Sequence, residues 1–171
     1  MYDIDLTDFW LDSDYARNFY VCEPPTEATI KMVEAELGYK LPLSYIELMK
    51  TQNGGFPRRN CFPTAERTSW ASNHIAIEGI FGIGKDKTYS LCGGMGSQFW
   101  ITNWGYPPIG IYFADCPSAG HDMVCLDYRR NGRQGEPEIV HVDQEFDYKI
   151  TFLAPDFAAF IKGLVDESEF D

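Results

Sequence analysis

Glu34-Ala35-Glu36-Leu37-Gly38-Tyr39-Lys40-Leu41-Pro42-Leu43-Ser44-Tyr45 holds a helix end, a corner and a helix start in one short run. Upstream, Ile30, Val33 and Leu37 recur at spacings of three and four, which is the apolar stripe of a helix. Thr26, just after the Pro24-Pro25 break, stands where a hydroxyl caps the free amides of the first turn, and Gly38 supplies the left-handed stop. Downstream, Pro42 suits the first turn of a second helix, because its missing N–H costs nothing there. Tyr45, Leu48 and Met49 form that helix's apolar face, and Asn53-Gly54-Gly55 tolerates the left-handed backbone that ends it. Before this pair, residues 7–17 read as a short acidic helix capped by Thr7, with Phe9, Trp10, Leu11 and Tyr15 inside it.

After Arg58 the helical spacing gives way to short apolar, β-branched runs separated by Gly, Pro and Asn, the pattern of strands. The runs are 75–80, 98–101, 109–113, 123–128, 138–142 and 148–153, with Asn131-Gly132 and Gly135-Glu136-Pro137 as loops. Pro155-Asp156 opens a closing helix in which Phe157, Phe160, Ile161 and Leu164 make one stripe. Helices, then strands, then a helix predict an α+β fold: N-terminal helices, a central, mainly antiparallel β-sheet and a C-terminal helix. With 171 residues the chain has the length of one domain, so residues 1–171 are expected to form a single unit, with 1–24 as an N-terminal helical extension.

Charge narrows the function classes. The net charge is -12, divided as -6 over residues 1–40, +2 over 41–110 and -8 over 111–171. Phosphate contacts need clustered Lys and Arg, so direct nucleic-acid binding is not expected and a basic partner is. The first residues, Met1-Tyr2-Asp3-Ile4-Asp5, show neither a basic region nor an apolar stretch, and no run is long enough for a membrane helix. Five scattered cysteines argue against a disulfide framework. A cytoplasmic protein that does not act at a membrane fits these features.

The chemical motifs weaken on inspection. Gly79-Ile80-Phe81-Gly82-Ile83-Gly84-Lys85-Asp86 follows the phosphate-loop pattern until Asp86 replaces the hydroxyl that would hold magnesium. Cys116, His121 and Cys125, with His141 further on, match no zinc spacing, so no metal and no cofactor are expected. Ser97 lacks the second glycine of a nucleophile elbow, and no cysteine lies in a nucleophile context, which points away from an enzyme. Trp100 to Pro108 concentrates aromatics that serve either as core or as partner anchors, and the sequence leaves both open.

The run from Glu34 to Tyr45, followed by Leu48 and Asn53-Gly54-Gly55, resembles the helix-corner-helix of the SUKH superfamily, the Smi/Knr type of domain. Ile109-Gly110, Asp115, Gly120-His121-Asp122 and Cys125-Leu126-Asp127-Tyr128 are similar to its central strand pair, and Phe157 through Leu164 to its closing helix. The resemblance spans about residues 25–165. It implies a protein-interaction function: bacterial members are chiefly immunity proteins for polymorphic toxins, often nucleases, and a fungal branch regulates cell-wall synthesis. It transfers no catalytic residue. On this reading the chain occludes a toxin with a basic nuclease domain, sterically and electrostatically. Trp104 and Tyr106 are the expected anchors, and Asp115, Asp122, Glu136 and Glu138 the contacts to the basic surface. The competing reading is a regulatory or scaffolding domain in cell-wall or stress signalling.

Overall fold

The computed structural model describes residues 5–170; Met1 to Ile4, on which the reading of a missing leader rests, and Asp171 lie outside them. The helical corner forms as its sequence dictates. Helix α2 (Glu27–Leu37) is capped by Thr26, whose hydroxyl accepts from the Thr29 amide at 3.1 Å, and ends at Gly38 with φ +82°. Glu34 then reaches back to accept the Leu41 amide at 2.8 Å, and Leu41 is buried. Pro42 sits one place earlier than the sequence suggests, as the cap of helix α3 (Leu43–Thr51) rather than inside its first turn. An extended cap suits it, since its ring fixes φ and it has no amide to satisfy. Tyr45, Leu48 and Met49 are fully buried, and Tyr45 donates to the Phe81 carbonyl.

The segment before this corner departs from the expected helix over 7–17. Trp10–Leu11 is a short strand, β1, paired antiparallel with β2 (Phe56–Pro57), and helix α1 (Asp14–Phe19) begins later. Ser13 caps it, accepting the Ala16 amide at 3.2 Å, and Asp14 adds a favourable charge at the helix start. Trp10 donates to the Thr51 hydroxyl at 3.0 Å, and that long-range tether holds the chain extended where Thr7 would have started a helix.

The expected strand over 75–80 is two strands in two sheets. β4 (His74–Ala76) pairs with β3 (Cys61–Pro63), whereas β5 (Gly79–Ile80) pairs with β6 (Gly110–Asp115). The main sheet then runs β5-β6-β7-β8-β9, all antiparallel, with β7 (Asp122–Asp127), β8 (Glu138–Asp143) and β9 (Lys149–Ala154) following as a meander. Every residue of β6 and β7 is buried, so both faces of the sheet are covered at its centre. Helix α5 (Phe157–Gly163), capped by Asp156 on the Ala159 amide, packs against β8, β9 and α3, with Phe157 and Phe160 set against Phe113.

Residues 98–101, read as a strand, belong instead to helix α4 (Ser97–Trp104). Its aromatic and β-branched content favours a strand locally, but tertiary contacts decide otherwise. Ser97 accepts the Tyr112 amide, the Trp100 indole donates to the Met95 carbonyl, and Gly105 (φ +75°) stops the helix. The glycines of the phosphate-loop-like stretch serve close packing. A Cβ on Gly82 would lie 2.2 Å from the Asn53 carbonyl oxygen, and helix α4 starts well beyond Lys85.

Candidate functional site

The hairpin register sorts the residues singled out from sequence. Asp122 faces Asp143 at one end of the β7–β8 ladder, and Asp127 faces Glu138 at the other. At the strand rise of 3.4 Å per residue the two ends are about 17 Å apart. Asp115, opposite Met123, joins Asp122 at the first end, while Glu136 and Glu138 lie at the second. The six residues therefore do not form one surface.

Three of them are not surface residues at all. Tyr106 is 1% exposed: its hydroxyl donates to the Gly120 carbonyl at 2.6 Å, and its ring meets Tyr112 and Tyr148 edge-on. Asp115 accepts from the Tyr20 hydroxyl at 2.8 Å and from the Gly79 amide at 3.2 Å, and burial pushes its carboxyl up to about 7. Asp122, 1% exposed, accepts from Ser118 and pairs with His141 Nε2 at 2.7 Å. The expectation that these three meet a partner directly is corrected by their burial. Trp104 and Glu138 remain half-buried and Glu136 exposed.

Around Trp104 the structure assembles a rim that the sequence reading missed. The Trp104 ring meets His121 edge-on at 5.6 Å, and Tyr148 donates to the Trp104 carbonyl. His121 Nδ1 lies 2.7 Å from Glu145 and 3.2 Å from the Gln144 side chain, both at the turn after β8, and Phe146 beside them is 41% exposed. Gly120 (φ +96°) makes this possible, because a Cβ there would sit 2.7 Å from the Trp100 ring and 3.0 Å from that of Trp104. An exposed aromatic beside an acid and an imidazole can bury apolar area and still pair with a basic group. In the sequence His121 stands as a metal-ligand candidate and as part of the strand-pair resemblance; its position next to Asp122, at the start of an apolar strand, marks an outward-facing strand entrance.

Beneath the rim, Cys116, Asp122 and His141 bring a thiol, a carboxylate and an imidazole within 4.8 Å of one another, all buried. The arrangement does not activate a nucleophile. The thiol donates to Asp122 rather than to an imidazole, and burial together with Asp122, Asp115 and Asp143 holds it protonated, well above its ordinary range. Ser97, the other nucleophile considered, is 1% exposed and engaged by Tyr112. Among the described residues no helix is long and apolar enough to cross a membrane.

A family model described as SUKH_6, SMI1-KNR4 cell-wall, matches residues 27–161, well over half of the chain. No curated protein matches it.

Proposed function

Because the chain belongs to the SUKH_6 family of SMI1-KNR4 type, we propose that it is an immunity protein, a single domain over 1–171 that binds and neutralises a cognate bacterial toxin. The family match over 27–161 carries this reading. Two features support it. The net charge of -12 suits a basic partner such as a nuclease domain, and the rim of Trp104, His121, Glu145 and Phe146 offers an aromatic anchor with acids beside it. The partner site consists of this rim, with Glu136 and Glu138 as a separate acidic contact that steers approach. Inhibition is steric and electrostatic, in the cytoplasm, without catalysis or cofactor.

The experiment is coexpression with the toxin-like product of an adjacent gene, followed by isolation of the complex. A one-to-one complex, restored growth and loss of toxin activity are expected. Trp104→Ala should weaken binding at least tenfold, since a central aromatic anchor is worth about 1.4 kcal/mol or more. A second reading, a regulatory or scaffolding domain in cell-wall or stress signalling, draws on the cell-wall wording of the family description. It gains if the folded protein leaves the toxin active and binds a cell-wall regulator instead.

A further inference from the structure

Cys116 follows β6, Asp122 opens β7 and His141 lies within β8, yet their donor atoms come within 4.8 Å of one another. The ladder explains the meeting. Val124 faces His141 and Asp122 faces Asp143, so His141, Asp122 and Asp143 share one face of the sheet. The donor set differs from the one discounted in the sequence, Cys116, His121 and Cys125 with His141 further on. Cross-strand pairing supplies His141, and an acid takes the place of the second cysteine.

Two independent features of this interior point to a cation. Asp122 and Asp143 are each 1% exposed, and among the described residues neither forms an ion pair with Lys or Arg. Asp143 is held by the Ser69 amide at 2.8 Å and hydroxyl at 2.6 Å, and Asp122 by Ser118 and the imidazole. Buried carboxylates without a cation are costly. In addition, Thr151, directly across the ladder from His141, carries a buried hydroxyl that has no hydrogen-bond partner. Orphaned polar atoms of this kind are rare in native interiors, and a bound ion or water is one way they are satisfied.

We propose that Cys116, Asp122 and His141 form a structural site for one zinc-class divalent cation. Thiolate and imidazole select this class over calcium or magnesium, which take oxygen ligands. Within the ligand set one thiolate and one carboxylate neutralise a dication, and Asp143 stays outside it, answered by the Ser69 amide and hydroxyl. Ser118 orients the Asp122 carboxylate from outside, the supporting role that metal ligands require. The Thr151 hydroxyl completes fourfold coordination. Binding forms a metal–sulfur bond and releases the Cys116 thiol proton to solvent, so affinity rises with pH. The site is closed, and the cation therefore enters as the chain folds. This proposal stands apart from the identity of any protein partner.

The full chain is unfolded in guanidinium with EDTA, desalted, and refolded with or without one equivalent of Zn²⁺ or Co²⁺. One equivalent should survive a second desalting, and the cobalt form should show a thiolate-to-metal charge-transfer band in the near ultraviolet. The thermal midpoint should rise by roughly 5–10 °C with zinc at about a hundredfold excess over Kd. Cys116→Ser should abolish the band, Asp122→Asn and His141→Gln should weaken binding more than tenfold, and Cys92→Ser, at a half-exposed position, should behave as wild type. Should a site variant fail to refold, the wild-type arm decides alone. No retained cobalt means an ion-free hydrogen-bonded network, and a band unchanged in Cys116→Ser means a metal held by another cysteine; either result overturns the proposal.

Discussion

At the far end of the β7–β8 ladder, Arg129 grips Asp127 through two nitrogens at 3.0 and 2.8 Å, and Arg130 approaches Glu138 at 3.6 Å. At the near end, Asp122 and Asp143 face each other across the same two strands with serine hydroxyls and one histidine for company. Both ends are acidic in sequence. At the far end guanidinium groups, still open to water, neutralise the acids, whereas at the near end the acids are enclosed with a histidine and a thiol, and among the described residues no Lys or Arg pairs with them. Acidity in a sequence is thus two different quantities: charge available to steer a partner, and charge committed to the interior.

The difference can be broken first at the enclosed end. Asp122→Ala leaves His141 and Ser118 without their acceptor and should cost about 3–5 kcal/mol by urea unfolding, whereas Asp127→Ala frees Arg129 to turn into water and should cost less than ~2 kcal/mol. Equal losses would erase the distinction.

Asp115 sharpens it through pH. Its folded carboxyl is raised to about 7 by burial, so the folded state holds a proton that the unfolded state releases near its ordinary value of 3.8. The resulting stabilisation is fully present below pH ~4 and is lost as pH rises through about 7, with a slope of up to ~1.4 kcal/mol per pH unit between them. Asp115→Asn should flatten that part of the stability profile. A profile parallel to wild type would show that Asp115 is ionised throughout.

The smallest effect on stability belongs to the open end. Glu136→Lys with Glu138→Lys should change unfolding free energy by no more than about 0.5 kcal/mol, while association with the cognate toxin slows and loses salt dependence. Unchanged association would remove these two acids from the partner's path.

Legibility in the sequence followed locality. Thr26, Gly38 and Asp156 act within one turn of their own helices: the cap expected at Thr26 and the stop expected at Gly38 are formed, and Asp156, expected as a favourable charge at the helix start, is also its cap. The strands of the meander sit within a residue or two of the apolar runs that announced them. Helix α4 was misread because Phe99, Ile101 and the two tryptophans have strand propensities, while the contacts that set its conformation come from Met95 and Tyr112. A usable sign was Trp100 and Trp104 four apart with Gly105 after them. Cys116 and His141 are visible in the sequence as ligand types, but linear spacing compares Cys116 with Cys125 and leaves Asp122 out of the cluster. Folding the hairpin about Asn131-Gly132 would have set His141 across from Val124, two residues from Asp122.

The Tyr20–Asp115 hydrogen bond joins residues 95 positions apart. During synthesis at about 5–20 residues per second, Tyr20 waits roughly 5–20 s before its acceptor has been made. Gly79, whose open face admits the Tyr20 ring, and Tyr89, which stacks on it at 4.7 Å, also arrive late. Helix α1 and its cap Tyr20, made before all of these partners, are therefore among the last parts to dock, and in that interval their aromatic residues are open to chaperones.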